Sequence, residues 1–197
     1  MGVKKRLVFS VVLVFLIMLI LFTSAASAAQ VTLDYNDITK DGEVIYDASY
    51  TCDTSSSLIS TNKINNPAEQ RGFIEFGLGD IPSNAVITNV QLSVRVHSNT
   101  ATSLKIGGLS PSISTSCSPG TITELFNYLD EGNLYYSAGS GDTLFTTGIK
   151  TVTLDAAAVS DLQSRKTNSQ NFVVASYLFS SPSQYGKEWR IRSEEYS

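Results

Sequence analysis

His97 is the only histidine among 197 residues, so any Ser-His-Asp triad would have to use it. It falls on the polar side of an alternating stretch with no Gly-x-Ser-x-Gly motif beside it, and reads as a solvated strand histidine. Polysaccharide cleavage can instead run on two carboxylates. Asp34, Asp37, Asp41 and Asp47 cluster early in the chain, and Asp130 and Glu131 follow a helix-like stretch. No spacing among them brings two to glycosidase separation, so they read as loop acids and no residue is assigned a catalytic role. Asp34, Asn36, Asp37 and Asp41 do supply hard oxygen ligands at short spacing, which makes calcium the one candidate cofactor, although the spacing is not that of an EF-hand.

The aromatic residues offer different chemistry. Pyranose rings present an apolar face that stacks on flat side chains, and Tyr135, Tyr136 and Tyr185 are the candidate ligand-binding residues. Adjacent strand residues point to opposite faces, so a strand through Tyr135-Tyr136 turns one ring outward. Tyr185 and Trp189 flank the turn Gly186-Lys187-Glu188, with Trp189 assigned to the core. Arg71 has no partner motif and is read as structural.

Cys52 and Cys117 are the only cysteines, each in a Ser/Thr-rich stretch. A disulfide between them is expected in an oxidising compartment. Closing that loop would stabilise the fold by roughly 4 kcal/mol in the chain-entropy model. Two free thiols in a reducing environment is the alternative. Two cysteines and one histidine do not make a structural zinc site, which takes four ligands.

The compartment is indicated by the N-terminus. Lys4, Lys5 and Arg6 precede an apolar run from Leu7 to Phe22 broken only by Ser10, and Ala26-Ser27-Ala28 follows as a small-x-small cleavage site. Sixteen helical residues span about 24 Å, short of the ~30 Å hydrocarbon core. Residues 1–29 are therefore expected to be a signal peptide cut after Ala28 or Ala29, leaving a secreted or cell-surface protein with no membrane span. Residues 30–197 keep eleven basic residues against eighteen acidic, a net charge of −7. An acidic chain without a basic cluster is not built for nucleic acid or anionic lipid. Its length suits one domain.

The elements that must position these residues are mostly strands. In Asn89–His97, Val90, Leu92, Val94 and Val96 share one face, while Gln91, Ser93, Arg95 and His97 share the other. That is a half-buried strand. Ile74, Phe76 and Leu78 alternate likewise within Gly72–Gly79, and a turn-forming stretch at 79–85 separates the two strands. Further strands are expected at Val31–Leu33, Glu43–Tyr46, Ser103–Ile106, Lys150–Leu154, Phe172–Tyr177 and Glu188–Arg192. Two short helices interrupt them. Thr121-Ile122-Thr123-Glu124 has capping-box spacing, with apolar Ile122, Leu125, Phe126 and Leu129 at helical intervals and Gly132 placed to end the helix. Asp155 is the expected N-cap of a second helix running to Leu162, with Arg165 and Lys166 near its negative end.

Arg71-Gly72-Phe73-Ile74-Glu75-Phe76, then Ile81-Pro82-Ser83-Asn84-Ala85-Val86-Ile87, then Val90-Gln91-Leu92-Ser93-Val94 resembles the strand, Ile-Pro-x-x-Ala-x-Ile, strand order of DNRLRE-type domains. These include the disaggregatase-related repeats of archaeal surface proteins. The resemblance covers roughly residues 31–197. It implies an all-β fold, a jelly-roll-like antiparallel β-sandwich carrying the two helices, in a secreted or surface protein beside carbohydrate-active domains. Such families continue into a Pro-led final strand, so the resemblance also implies a sandwich at 30–197 that lacks its last strand, either as the front piece of a longer protein with further domains or as the product of a broken gene. Three functions are expected from it. The first is a non-catalytic binding or adhesion module for polysaccharide or a matrix component. The second is a self-associating envelope or matrix protein, and the third an accessory part of a glycan-degrading enzyme.

Overall fold

The computed structural model describes residues 27–63, 68–108, 134–178 and 185–192. The apolar N-terminal run, the helix expected at Thr121–Leu129, Asp130, Glu131 and Cys117 lie outside them. Eleven strands form one curled sheet: β1 Ala28–Leu33, β2 Ile38–Asp47, β3 Ser49–Asp53, β4 Leu58–Lys63, β5 Glu69–Phe76, β6 Val86–Asn99, β7 Leu104–Gly108, β8 Leu134–Ala138, β9 Gly148–Thr153, β10 Phe172–Tyr177 and β11 Lys187–Arg192. Among the described residues one α-helix, α1, spans Ala156–Thr167. The chain is thus all-β in class. One pairing departs from the antiparallel expectation, because β1 runs parallel to β6. A strand and its second neighbour along a connection can pair in parallel only when the chain crosses over between them, and residues 34–85 make that crossover by building β2 to β5 first.

β6 is the long member, with 14 residues. Val90, Leu92, Val94 and Val96 are buried and Arg95 and His97 exposed, as the alternation predicts. Ile87 is also buried, and the parity changes between it and Val90. The pairing explains the change. Ala29 pairs with Ile87 and Gln30 with Asn89, so Thr88 is an inserted residue, a bulge that turns the strand by one position.

β6 serves three partners. β1 pairs with it up to Leu92, and β11 pairs with it from Val96 onward. Gln91 and Leu92 pair with both β1 and β9, so those two lie on opposite edges. Val96 pairs with both β9 and β11, which places β1 and β11 one after the other along the same edge. β5 is the second hub, flanked by β2 on one edge and by β4 and then β10 on the other.

The curl brings these hubs face to face. Leu92, Val94 and Val96 join Ile74, Phe76, Phe172, Val174, Trp189 and Ile191 in one apolar core. Trp189 is fully buried, and its indole nitrogen donates to the Leu144 carbonyl at 2.8 Å. β5 is packed on its other side as well, where Phe73 joins Val44, Val173 and Ala175 in a second cluster. β10 is buried at every position.

α1 begins where its cap predicts. The Asp155 carboxylate accepts from the Ala157 and Ala158 N–H groups. The helix runs beyond Leu162 to Thr167 because Leu162 and Arg165 lie on its buried face. Lys166 then donates to the carbonyls of Ser83 and Ala85, tying the helix end to the loop before β6.

Two local features carry testable energies. Ala48, the single residue between β2 and β3, holds φ at 58°, a left-handed conformation that strains an L side chain. Ala48→Gly is expected to raise unfolding stability by up to about 1 kcal/mol in a denaturant titration. Glu43 on β2 is buried, and its carboxylate accepts from the Ser60 N–H of β4 at 2.7 Å, where β4 has left β5. Burial holds this carboxyl above its usual range despite the Ser60 hydrogen bonds. Because the folded state then binds the proton more tightly than the unfolded state, Glu43 favours folding below its ordinary range and less as pH rises through the raised value. Glu43→Gln keeps an acceptor for Ser60 and should raise the denaturation midpoint at pH 7. The gain should shrink at pH 4, and equal midpoints at both pH values would contradict it.

Candidate functional site

The outward face of β6 continues across both neighbours. Gln30 pairs with Asn89, Thr32 with Gln91, Gln91 with Thr153, and Ser93 with Thr151. Paired residues share a face, so seven amide and hydroxyl side chains form an uncharged strip across β1, β6 and β9. They also bind one another. The Gln91 carboxamide oxygen accepts from Gln30 Nε2 at 3.0 Å and from Thr32 Oγ1 at 3.4 Å. Asn89 Nδ2 donates to Gln30 Oε1 at 3.1 Å, and Thr151 Oγ1 to Ser93 Oγ at 3.3 Å. These bonds fix the rotamers and leave the Gln91 amide nitrogen without a protein partner among the described residues. Carboxamides and hydroxyls offer both donors and acceptors.

At its far end the strip meets Arg95 and Ile149, which pair across β6 and β9. Here the sheet has a gap. β1 stops at Leu92 and β11 begins at Val96, so among the described residues no strand covers residues 93–95 on that edge. The Leu154 N–H donates to the Val90 carbonyl. Even-numbered residues of β6 therefore turn their main-chain groups to β9, while Ser93 and Arg95 turn theirs to the gap. Through this gap a slot of about 230 Å³ reaches the core. Ile38, Ile74, Phe76, Val94 and Ile191 form its floor, and Asp34, Arg95, Ile149 and Arg192 stand at its mouth.

The structure redistributes the residues expected to form sites. Tyr135 is withdrawn as a ligand-binding residue. It sits at the bulge where Tyr136 pairs with Ile106 and Leu134 with Gly107, and the irregularity turns it inward. It is 1% exposed, stacked on Phe172 at 5.6 Å between centroids. Its hydroxyl donates to Asp161, which also accepts from Arg165 Nε at 3.1 Å. Burial and the Asp161 carboxylate drive the phenol well above its ordinary range. Gly108 makes room for the ring: a Cβ there would stand 1.8 Å from the tyrosine hydroxyl. Tyr136 is half-buried and donates to Asp142 Oδ2 at 2.6 Å, and burial followed by that bond pushes it up to about 12. Tyr185 is 40% exposed, the one ring of the three on the surface.

The candidate calcium ligands do not gather. The Asp34 carboxylate accepts from Asn36 N and Nδ2, and Asp37 accepts from Asp34 N, a capping box around a 3-10 turn at Tyr35–Asp37. Asp41 is buried further along in β2. Among the described residues no group of three or more His, Cys, Asp or Glu stands close enough to hold a metal. Cys52 on β3 is disulfide-bonded, and Cys117 is the chain's only other cysteine. Arg71 is buried beside Glu69, which also pairs with Lys63, and its guanidinium lies 6.0 Å from the Tyr177 ring. That cluster ties β4, β5 and β10 together.

No protein-family model matches the chain, and no curated protein matches it. What the site can do therefore rests on its own chemistry: neutral hydrogen bonding along the strip, and apolar burial beside two guanidinium groups at the slot. The strip was half visible in the alternation around Gln91. The contributions of β1 and β9, and the gap itself, arise from pairings remote in sequence.

Tyr135 acts as a structural tie between β8 and α1. Tyr135→Phe should destabilise the fold by about 1.5–3 kcal/mol, the range for a hydrogen bond to a charged group. Chemical denaturation measures this.

Proposed function

We propose that the chain is an exported, non-catalytic binding module that holds polysaccharide on the strip formed by β1, β6 and β9. The observation that carries this reading is the run of uncharged, mutually hydrogen-bonded side chains from Gln30 to Thr151 on an exposed sheet face. Protein surfaces ordinarily intersperse charges of both signs. A neutral, pre-ordered array of donors and acceptors suits a hydroxyl-rich neutral polymer, because little side-chain freedom is lost on binding. Tyr185 is a peripheral stacking ring.

Export is supported by the basic, apolar and small-residue order of residues 4–28 and by the disulfide at Cys52, since disulfides persist in oxidising compartments. Cleavage after Ala28 would leave Ala29–Leu33 paired with β6. Among the described residues no helix is long and apolar enough to cross a membrane. The curl of the sheet around one core is consistent with a jelly-roll sandwich, and with the resemblance to DNRLRE-type domains.

A second reading, self-association, is favoured by β9. It pairs only with β6 among the described residues and exposes Ile149 at 61%. A free strand edge with an apolar side chain is a template for a second copy.

Affinity electrophoresis through gels containing xylan, mannan or a soluble cellulose derivative tests the first reading. At least one should retard the protein, and Gln91→Ala with Thr32→Ala should weaken retention about tenfold with folding intact. Mobility unchanged in all three gels would count against it. Sedimentation of the same samples tests the second, in which Ile149→Lys should convert an assembly to monomer.

A further inference from the structure

We propose that the slot beside Ser93–Arg95 binds the aliphatic chain of a free, single-chain anionic amphiphile, with Arg95 and Arg192 holding its charged head. The inference does not rest on the polysaccharide reading, since floor and mouth differ in chemistry from the strip. The floor is entirely apolar, made by Ile38, Ile74, Phe76, Val94 and Ile191. The floor side chains offer no polar partner of the kind a buried water needs. An aliphatic group would restore the dispersion contacts that an unfilled space forfeits.

Size narrows the occupant. At about 230 Å³ the slot is smaller than the ~300–1,000 Å³ pockets that enclose a whole drug-sized ligand. It therefore suits one flexible chain rather than a ring system carrying several polar groups. The head group then lies at the mouth.

Charge narrows it further. Arg95 and Arg192 are both exposed, and neither has an ion-pair partner among the described residues. Among the described residues the one carboxylate at the mouth is Asp34, whose Oδ1 accepts from Asn36 N and Nδ2. Among the described residues two guanidinium groups against one carboxylate leave the mouth a net positive charge on a chain whose net charge is −4. The main-chain groups that Ser93 and Arg95 turn to the gap add donors that no strand uses among the described residues. A carboxylate, sulfate or phosphate head satisfies both features.

The test uses the disulfide-intact protein and three probes: decanoate below its micellar concentration, decanol and acetate. Calorimetry should show one decanoate per chain, with weaker binding of decanol and no binding of acetate. Amide and methyl NMR shifts should centre on Ile38, Ile74, Val94 and Ile191. Arg95→Ala with Arg192→Ala changes only exposed side chains, so the fold should persist while decanoate affinity falls about tenfold and decanol affinity stays. Absence of saturable decanoate binding would overturn the proposal, as would shifts centred elsewhere. Equal loss of decanoate and decanol in the double variant would overturn the role of the arginines. Cosedimentation with phosphatidylglycerol vesicles without decanoate binding would also overturn it, in favour of a membrane surface.

Discussion

A strand has two edges and two faces, and β6 uses all four. One face supplies Val90, Leu92, Val94 and Val96 to the core and the other carries the polar strip. One edge takes β9, and the other is divided between β1 and β11. Because β1 arrives parallel and β11 antiparallel, their C-terminal ends approach each other along that edge, and among the described residues they do not meet. The slot is the space between them, so fold and candidate site share one cause.

The curl depends on the second hub in the same way. β5 gives part of one edge to β4 and the rest to β10, and β4 passes on to β11 and so back to β6. Such a transfer leaves main-chain groups without strand partners where β4 departs, and buried N–H groups are rarely left unpaired. Side chains fill the vacancy. Glu43 accepts from Ser60 N, and Thr61 Oγ1 accepts from Gly72 N at 3.3 Å while bonding Ser176. Gly72 is required beneath them, since a Cβ there would fall 2.7 Å from Ile59 and 2.9 Å from Ser176 Oγ.

Local signals in the chain were legible to the extent that they were local. The alternation in β6, the run at Phe172–Tyr177 and the Asp155 cap depend on neighbours a few residues away, and all three appear in the structure. β3, β4 and β8 were not legible. Ser49–Asp53 and Leu58–Lys63 are rich in Ser, Thr, Asn and Asp, and Leu134–Ala138 contains a bulge that breaks its period. The bulge also misdirected the aromatic reading. Alternation requires one of two adjacent tyrosines to face outward, and Tyr136 does lie farther out. Yet its hydroxyl is held by Asp142, and Tyr135 is drawn onto Phe172 by the space above Gly108.

The acids near the start of the chain show the same limit from the other side. Asp34, Asn36 and Asp37 have the spacing of a cation loop, but the same spacing makes a capping box, and the backbone N–H groups of a turn are always present to compete for the oxygens. The two bonds from Asn36 both fall on Asp34 Oδ1 and hold that carboxylate in the turn. There it keeps its charge but makes no ion pair with Arg95 or Arg192 among the described residues. The balance at the slot mouth is a matter of number, Arg95 and Arg192 against Asp34 among the described residues, brought together by strand pairings remote in sequence. A short-range motif fixes where an acid sits, and long-range pairing fixes which charges it faces.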